Sequence, residues 1–259
     1  MAMNILKTPA KILKTPAKIL NTPAKGKLPH VAVMITLPIM LSTMAAWTLN
    51  VHKTGVFSAI SLHEMPSLAF WTRCFILSFP SVLYKFIWTH GMQWNKFFCG
   101  KGVEAYHRLC FTLRALQLYT LYSACFPGSS FFSLDFTAVT THLAEVTLYG
   151  WIFMATWLFV GQALNLSVYW TIGAVGVYYG FKMGHQVPWA TGFPFSLGIR
   201  HAQYTGACIT FVAFLPLLCT PIGIHNGLLG LYICVFLYYT WNGLFEEVDD
   251  NPEEQKKQA

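Results

Sequence analysis

Residues 143–171 read LAEVTLYGWIFMATWLFVGQALNLSVYWT, and the only charged side chain in this run is Glu145. A transmembrane α-helix needs about 20 predominantly apolar residues. The segment is therefore long enough to cross a bilayer with a tilt, or to extend beyond the membrane surface.

Comparable apolar segments recur along the chain. They lie at roughly 30–50, 67–88, 109–126, 204–220 and 225–244. The 259 residues are 55% hydrophobic and only 10% charged, whereas soluble domains carry about 25% charged residues. The pattern predicts an all-α fold, namely a polytopic integral membrane bundle of about six transmembrane helices.

The distribution of basic residues predicts the orientation of this bundle. Six of the seventeen Lys and Arg residues lie within the first 27 residues, and Lys and Arg concentrate in cytosolic loops. Placing both termini in the cytosol leaves Lys53 as the only basic residue in the non-cytosolic loops. The net charge of +7 thus indicates contact with anionic lipid headgroups rather than with nucleic acid.

Two further features limit the possible functions. The seven cysteines form no CxxC pair, so we expect buried structural thiols and no metal site. Residues 5–25 repeat a heptapeptide, ILKTPAK, ILKTPAK and ILNTPAK, whose prolines disfavour a continuous helix. A flexible basic tail is expected there, and a membrane-surface or partner-docking arm is the alternative.

Residues 161–206, GQALNLSVYWTIGAVGVYYGFKMGHQVPWATGFPFSLGIRHAQYTG, gather glycines, histidines and an arginine in an otherwise apolar chain. Ionisable groups near membrane depth usually mark a functional site. The glycines at 173, 176, 180 and 184 are predicted to form a stripe on one helix face. Such a stripe serves either close helix packing or a ligand lying against bare backbone, and spacing alone does not choose between them.

The predicted topology places Arg200, His201, Tyr204 and the Glu246-Glu247 pair on the same cytosolic side. Arg200 can bind a carboxylate or phosphate through its planar fork, and the two carboxylates can hold an ammonium group. The alternative for the acidic pair is a solvated tail. Other charged residues in or beside the apolar segments are expected to be structural or to set the topology: Arg73, Lys85, Arg114 and Glu145.

Four stretches together resemble one enzyme family. They are residues 161–206, WTHGMQWNKFFCG (88–100), RALQLYTLYS (114–123) and FEEVDDNP (245–252). This combination resembles the plant and algal type of phospholipid N-methyltransferase, which belongs to the phosphatidylethanolamine and isoprenylcysteine methyltransferase group. The resemblance covers roughly residues 70–259.

The resemblance implies a helical membrane enzyme that binds S-adenosylmethionine from the cytosol and takes its phospholipid substrate from the bilayer. Plant-type members methylate phosphatidyl-N-methylethanolamine and then the dimethyl form to phosphatidylcholine, in the endoplasmic reticulum. The terminal Lys256-Lys257 pair resembles a dilysine retrieval signal for that membrane. By this resemblance the chain divides into a basic tail (1–29), an added first span and loop (30–66), a methyltransferase membrane domain (67–245) and an acidic tail (246–259).

The family's motifs assign roles to individual positions. The short glycine motif falls on Phe159-Val160-Gly161, with Phe159 in place of its first glycine. The HPxYxG element falls on residues 201–206, with Ala202 in place of proline. The residues expected to contact the cofactor are Phe159, Val160, Gly161, Tyr178, Arg200, Gly206, Glu246 and Glu247.

The reaction implied is direct attack of a neutral amine on a sulfonium methyl group, without a metal. The substrate ammonium must first lose a proton, and the expected bases are His201, Glu247 and Tyr204. Tyr178, Tyr179 and Trp189 are expected to shelter the sulfonium. The alternatives are an isoprenylcysteine carboxyl methyltransferase, a nicotinamide-dependent sterol or enoyl reductase, and an inactive membrane scaffold of the same fold.

Overall fold

The computed structural model describes residues 27–53, 67–126, 135–190, 192–197, 199 and 201–249, with side chains at 34–52 and from 67 to 246 within those ranges. All regular structure in the described residues is helical. The helices are α1 (Lys27–Lys53), α2 (Leu68–Phe97), α3 (Gly102–Cys125), α4 (Phe136–Glu145), α5 (Leu148–Val177), α6 (Ala202–Ala213), α7 (Leu215–Leu218), α8 (Pro221–His225) and α9 (Leu228–Asp249). The predicted all-α fold is confirmed. The basic repeats at 5–25, Arg200 and the Lys256-Lys257 pair lie outside the described residues.

Short polar side chains cap the starts of several helices. Ser67 accepts a hydrogen bond from the Phe70 amide at 3.2 Å, and Thr147 accepts one from Gly150 at 3.3 Å. Asp135 accepts from the amides of Thr137 and Ala138 at the start of α4. These caps satisfy amides that have no partner within the helix, and they fix where each apolar segment begins.

Three helical segments have the length and apolar character needed to cross a bilayer: residues 34–52 in α1, 148–183 from α5 onward, and 228–246 in α9. α2 carries Arg73, Lys85 and Lys96 and is not one of these three segments. The apolar helix over 202–218 is shorter and is interrupted at Phe214, between α6 and α7. The protein is a membrane protein, while the count of six spans and the cytosolic position of both termini stay predictions.

The long helices pack into a bundle in which α5 has its most extensive contact with α6, and α2 packs on both α3 and α9. One group of buried side chains includes Leu77, Leu121, Phe153 and Leu231. A second, strongly aromatic group lies around Trp88, Tyr106, Tyr178 and Tyr179. α1 also belongs to the bundle, because the Trp157 indole donates to the Met40 carbonyl at 3.2 Å and the Trp47 and Phe153 rings lie 5.1 Å apart.

The predicted stripe of glycines on one helix face is wrong. Gly173 interrupts α5 with a φ of 66°, and α5 ends at Val177. Gly180 then begins a 3-10 turn, Gly180–Met183, and Gly184 has a left-handed φ of 86°. Glycine adopts this backbone without steric cost, so these residues turn the chain at the end of α5 instead of forming a continuous face.

Asn95 fixes this end of the bundle. Its amide donates to the Met183 carbonyl at 3.0 Å, and its side-chain oxygen accepts from the Gly102 amide at 3.0 Å. One side chain of α2 therefore holds both the start of α3 and the turn after α5. The turn carries Tyr178 and Tyr179 into the second aromatic group.

Candidate functional site

A carboxylate near the end of α9 meets two tyrosines from other parts of the bundle. Oε1 of Glu246 accepts a hydrogen bond from the Tyr179 hydroxyl at 2.6 Å and another from the Tyr204 hydroxyl. The two hydroxyl groups also contact each other. This cluster joins the turn after α5, the start of α6 and the end of α9, which are distant in sequence.

His201 lies on the other side of the same carboxylate. Its Nδ1 is 3.6 Å from Oε2 of Glu246, and the two side chains are 27% and 15% exposed. The imidazole stacks on the Tyr204 ring with centroids 5.5 Å apart. A Cβ on Gly243 would lie 3.1 Å from the His201 ring, so a glycine of α9 leaves room for the imidazole. The imidazole and the carboxylate are therefore both partly accessible at one place.

Tyr179 reaches the carboxylate through an unusual backbone conformation. Its φ is 56°, a left-handed conformation that is uncommon for a bulky residue other than glycine. Such conformations cluster at functional sites, where the surrounding structure holds them in place. As a result, the side chains of the first two residues after α5 point to different partners. Tyr179 faces Glu246, and the Tyr178 ring stacks on His107 of α3 with centroids 4.7 Å apart.

Aromatic rings surround Tyr179. Tyr84 and Trp88 of α2 meet it edge-on at 6.3 and 5.4 Å, and Tyr106 of α3 stacks on it at 6.0 Å. The Lys182 ammonium lies 3.8 Å from the centre of the Trp88 ring. Aromatic faces attract cations, and Lys182 shows that a positive group already occupies one face of this wall.

The structure brings some of the predicted site residues together and separates others. His201, Tyr204 and Glu246 lie together with Tyr179. Tyr178 is separated from Tyr179 by one ring, because Tyr106 contacts both tyrosines. Phe159 points away from the bundle with 75% of its surface exposed, and Val160 is half-buried beside it. The Glu247 side chain lies outside the described residues.

Gly161 and Gly206 meet each other where α5 crosses α6. A Cβ on Gly161 would lie 2.8 Å from the Gly206 carbonyl oxygen, and a Cβ on Gly206 would lie 2.8 Å from that of Gly161. Small residues allow two helix backbones to approach this closely. Packing thus accounts for both glycines, and their contact with a cofactor stays a prediction.

Sequence reasoning missed several residues of the site. It assigned Tyr179 to sheltering a sulfonium and did not foresee its hydrogen bond to Glu246, and it gave no role to Tyr84, Trp88 or Tyr106. Tyr84 and Trp88 are four residues apart, a spacing that puts them on the same helix face. This spacing is the one local signal that was available, because the partners of both rings come from other helices.

Among the described residues, no group of three or more His, Cys, Asp or Glu side chains could hold a metal ion. No disulfide forms in the same part of the chain, and its cysteines are free thiols, most of them buried. The polar chemistry of the site therefore comes from one carboxylate, one imidazole and the tyrosine hydroxyls.

Comparison with known proteins identifies one curated relative by sequence. The chain is 33% identical over 157 residues to the phosphatidyl-N-methylethanolamine N-methyltransferase of Arabidopsis thaliana, across 57% of this chain and 82% of the relative. No family model matches the chain, and no solved structure matches it. With a third of the aligned residues identical over four-fifths of that enzyme, the chain belongs to the phosphatidyl-N-methylethanolamine N-methyltransferase family.

Proposed function

We propose that this protein transfers methyl groups from S-adenosylmethionine to phosphatidyl-N-methylethanolamine and to its dimethyl form, yielding phosphatidylcholine. The observation that carries the proposal is the Glu246 carboxylate, held by two tyrosines and paired with His201 at the end of an apolar helix. A polar site at this position is within reach of both the bilayer and the water phase. Family membership supplies the class of substrate.

The residues present suit the amino acid part of S-adenosylmethionine. Glu246 is a partly accessible carboxylate that can accept a hydrogen bond from an ammonium group, and charge-assisted bonds of this kind are the stronger ones. The tyrosine rings around Tyr179 suit a sulfonium, which is a cation without N–H groups, whereas the Lys182 ammonium already lies over the face of Trp88. When bound, S-adenosylmethionine supplies an electrophilic methyl group attached to its sulfonium sulfur.

The amine of the lipid must lose its proton before it can attack. The carboxylate of Glu246, 3.6 Å from His201, stabilises the imidazolium that forms when this ring accepts the proton. The nitrogen lone pair then forms the new N–C bond as the C–S bond breaks. His201 is the base that the described geometry favours over Tyr204, because the Tyr204 hydroxyl is already engaged as a hydrogen-bond donor to Glu246.

The remaining contribution of the protein is alignment and exclusion of water. Tyr84, Trp88 and Tyr106 close the site on the side of α2 and α3. Holding two reactants in a reactive orientation can contribute about 7–11 kcal/mol. A reaction without a covalent enzyme intermediate can draw most of its acceleration from this source.

The membrane arrangement is part of the proposal. We place the end of α9 that carries Glu246 at the cytosolic face, in a bundle of six spans within the endoplasmic reticulum membrane. The distribution of Lys and Arg between the loops supports this orientation.

Replacing Tyr179 or Tyr204 with phenylalanine tests the hydrogen-bonded cluster. Each variant removes one hydroxyl that donates to Glu246, so kcat/KM should fall by roughly 10-fold. The double variant should lose less than the product of the two single effects, because both hydroxyls act on one carboxylate. Tyr238→Phe on α9 is the matched control, and fully multiplicative losses would contradict a shared role.

The function itself is tested in microsomes of yeast lacking its own phospholipid methyltransferases and expressing this chain. Radiolabelled S-adenosylmethionine is added with phosphatidylethanolamine or its monomethyl form, and the lipids are separated. We expect label in the dimethyl lipid and phosphatidylcholine from the monomethyl substrate alone. No labelled lipid from a correctly inserted protein would overturn the proposal and favour the prenylcysteine or scaffold alternatives.

A further inference from the structure

Arg114 is a charged side chain within the helix bundle. The proposed reaction gives its guanidinium no role. Arg114 lies midway along α3 and is half-buried. Its guanidinium donates to the Gln117 side-chain oxygen at 2.9 Å and to the Tyr84 hydroxyl at 2.8 Å. Across the part of the chain that the structure describes, no carboxylate forms an ion pair with it.

A cation in this position with only neutral partners is costly. Charged residues within membrane bundles usually pair with an opposite charge or mark a pathway for a substrate. Arginine has five N–H donors, and the described residues accept hydrogen bonds from two of its nitrogens. The guanidinium thus retains donors, in a planar fork that suits a phosphate.

Two aromatic rings, Tyr84 and Tyr239, each contact both the Arg114 guanidinium and a tyrosine of the Glu246 cluster. The Tyr84 ring, whose hydroxyl accepts from Arg114, meets Tyr179 edge-on at 6.3 Å. The Tyr239 ring lies 5.0 Å from the guanidinium and 5.7 Å from the Tyr204 ring. Tyr179 and Tyr204 are the two residues whose hydroxyls bind Glu246, so the tyrosine rings that contact Arg114 also pack against the tyrosines that hold the carboxylate.

The depth of Arg114 indicates which anion it would meet. Tyr239 precedes Glu246 by seven residues on α9, which is roughly 10 Å along a helix. Arg114 therefore lies further into the bundle than Glu246, at which the apolar part of α9 ends. In a phospholipid the phosphate lies on the acyl-chain side of the amine. The same order holds here, because Arg114 lies deeper in the bundle than Glu246.

We propose that Arg114 binds the phosphate of the lipid substrate and thereby positions its amine at His201 and Glu246. The inference rests on the proposed function and adds the element that recognises the headgroup. Gln117 and Tyr84 hold the guanidinium in place. Gln117 is itself anchored, because its amide donates to the Leu77 carbonyl at 2.7 Å.

The test uses purified full-length protein in mixed micelles of a neutral detergent. One acceptor is phosphatidyl-N-methylethanolamine, and the other is an analogue in which an uncharged ether replaces the phosphodiester. We expect the wild-type protein to prefer the phosphate-containing lipid, and Arg114→Gln to raise the half-saturating mole fraction of that lipid by about 10-fold. The half-saturating concentration of S-adenosylmethionine should not change, and the variant should lose the preference for phosphate.

Arg73→Gln is the matched control. Arg73 is another arginine within the bundle, but it donates to the Ser123 carbonyl at 3.3 Å, away from the site. It should leave the lipid preference unchanged. If Arg114→Gln does not insert, Arg114→Lys retains the charge without the planar fork and should show a reduced preference.

The possible results separate the explanations. A rise confined to the half-saturating concentration of S-adenosylmethionine would assign the guanidinium to the cofactor carboxylate and overturn the inference. An unchanged preference in the variant, or no preference in the wild type, would also overturn it. A correctly folded wild-type protein that methylates neither acceptor would instead refute the proposed function, on which the inference rests.

Discussion

Replacing Glu246 with glutamine is expected to lower kcat/KM for methyl transfer by at least about 100-fold, the loss that follows from weakening two hydrogen bonds to a charged group. Glutamine has nearly the same shape but carries no charge. The two tyrosine hydroxyls that donate to Oε1 would meet a neutral amide, and His201 would lose the anion beside it. Initial rates with the purified variant in lipid micelles measure the effect.

Two matched variants accompany this measurement. Glu145→Gln changes a carboxylate at the end of α4 that is 69% exposed and faces His142, so its rate should stay close to that of the wild type. Glu247→Gln shows which member of the acidic pair is required, since both were predicted to contact the cofactor. Near-normal turnover by Glu246→Gln would remove the cluster from the mechanism.

Replacing Gly161 with alanine should lower the stability of the bundle strongly. The added Cβ would lie 2.5 Å from the Thr210 hydroxyl oxygen and 2.8 Å from both the Thr210 nitrogen and the Gly206 carbonyl oxygen. Because two of these atoms are backbone, α5 and α6 must move apart. Overpacking of this kind costs about 1–3 kcal/mol, and we expect Tm in detergent to fall by roughly 5–10 °C.

Gly192→Ala is the control, because no atom lies within 4 Å of a Cβ at that position. Combining Gly161→Ala with Gly206→Ala should cost less than the sum of the two single changes, since one separation of the helices relieves both contacts. An unchanged Tm for Gly161→Ala would show that the crossing is not closely packed. If Tm is unchanged but the affinity for S-adenosylmethionine falls, the glycine contacts the cofactor.

Composition was sufficient to predict an all-helical membrane fold, because apolar segments of this length have few alternatives to helix in a bilayer. It did not predict where helices end. The prediction of a glycine stripe was wrong because glycine suits both close helix packing and left-handed backbone conformations. Gly173 and Gly184 adopt positive φ values and so belong to the second kind. The short helix α4 was also missed, although Asp135 provides its N-cap.

The site was predicted only in part. His201, Tyr204 and Glu246 were recognised from motifs, and the structure brings them together. The roles of Tyr84 and Arg114 depend on which faces of α2, α3 and α9 meet, and nothing in the local sequence specifies those contacts. Arg114 was expected to be structural, and its neutral partners and its depth became apparent only in three dimensions.

In the proposed reaction, this chain alone converts a monomethylated phospholipid into phosphatidylcholine. The most direct test places the purified protein in vesicles that contain phosphatidyl-N-methylethanolamine, adds S-adenosylmethionine with a deuterated methyl group, and follows the lipids by mass spectrometry. We expect dimethyl lipid with one labelled methyl group to appear first, followed by phosphatidylcholine with two. Absence of labelled phospholipid, with S-adenosylmethionine still bound, would contradict the proposed reaction.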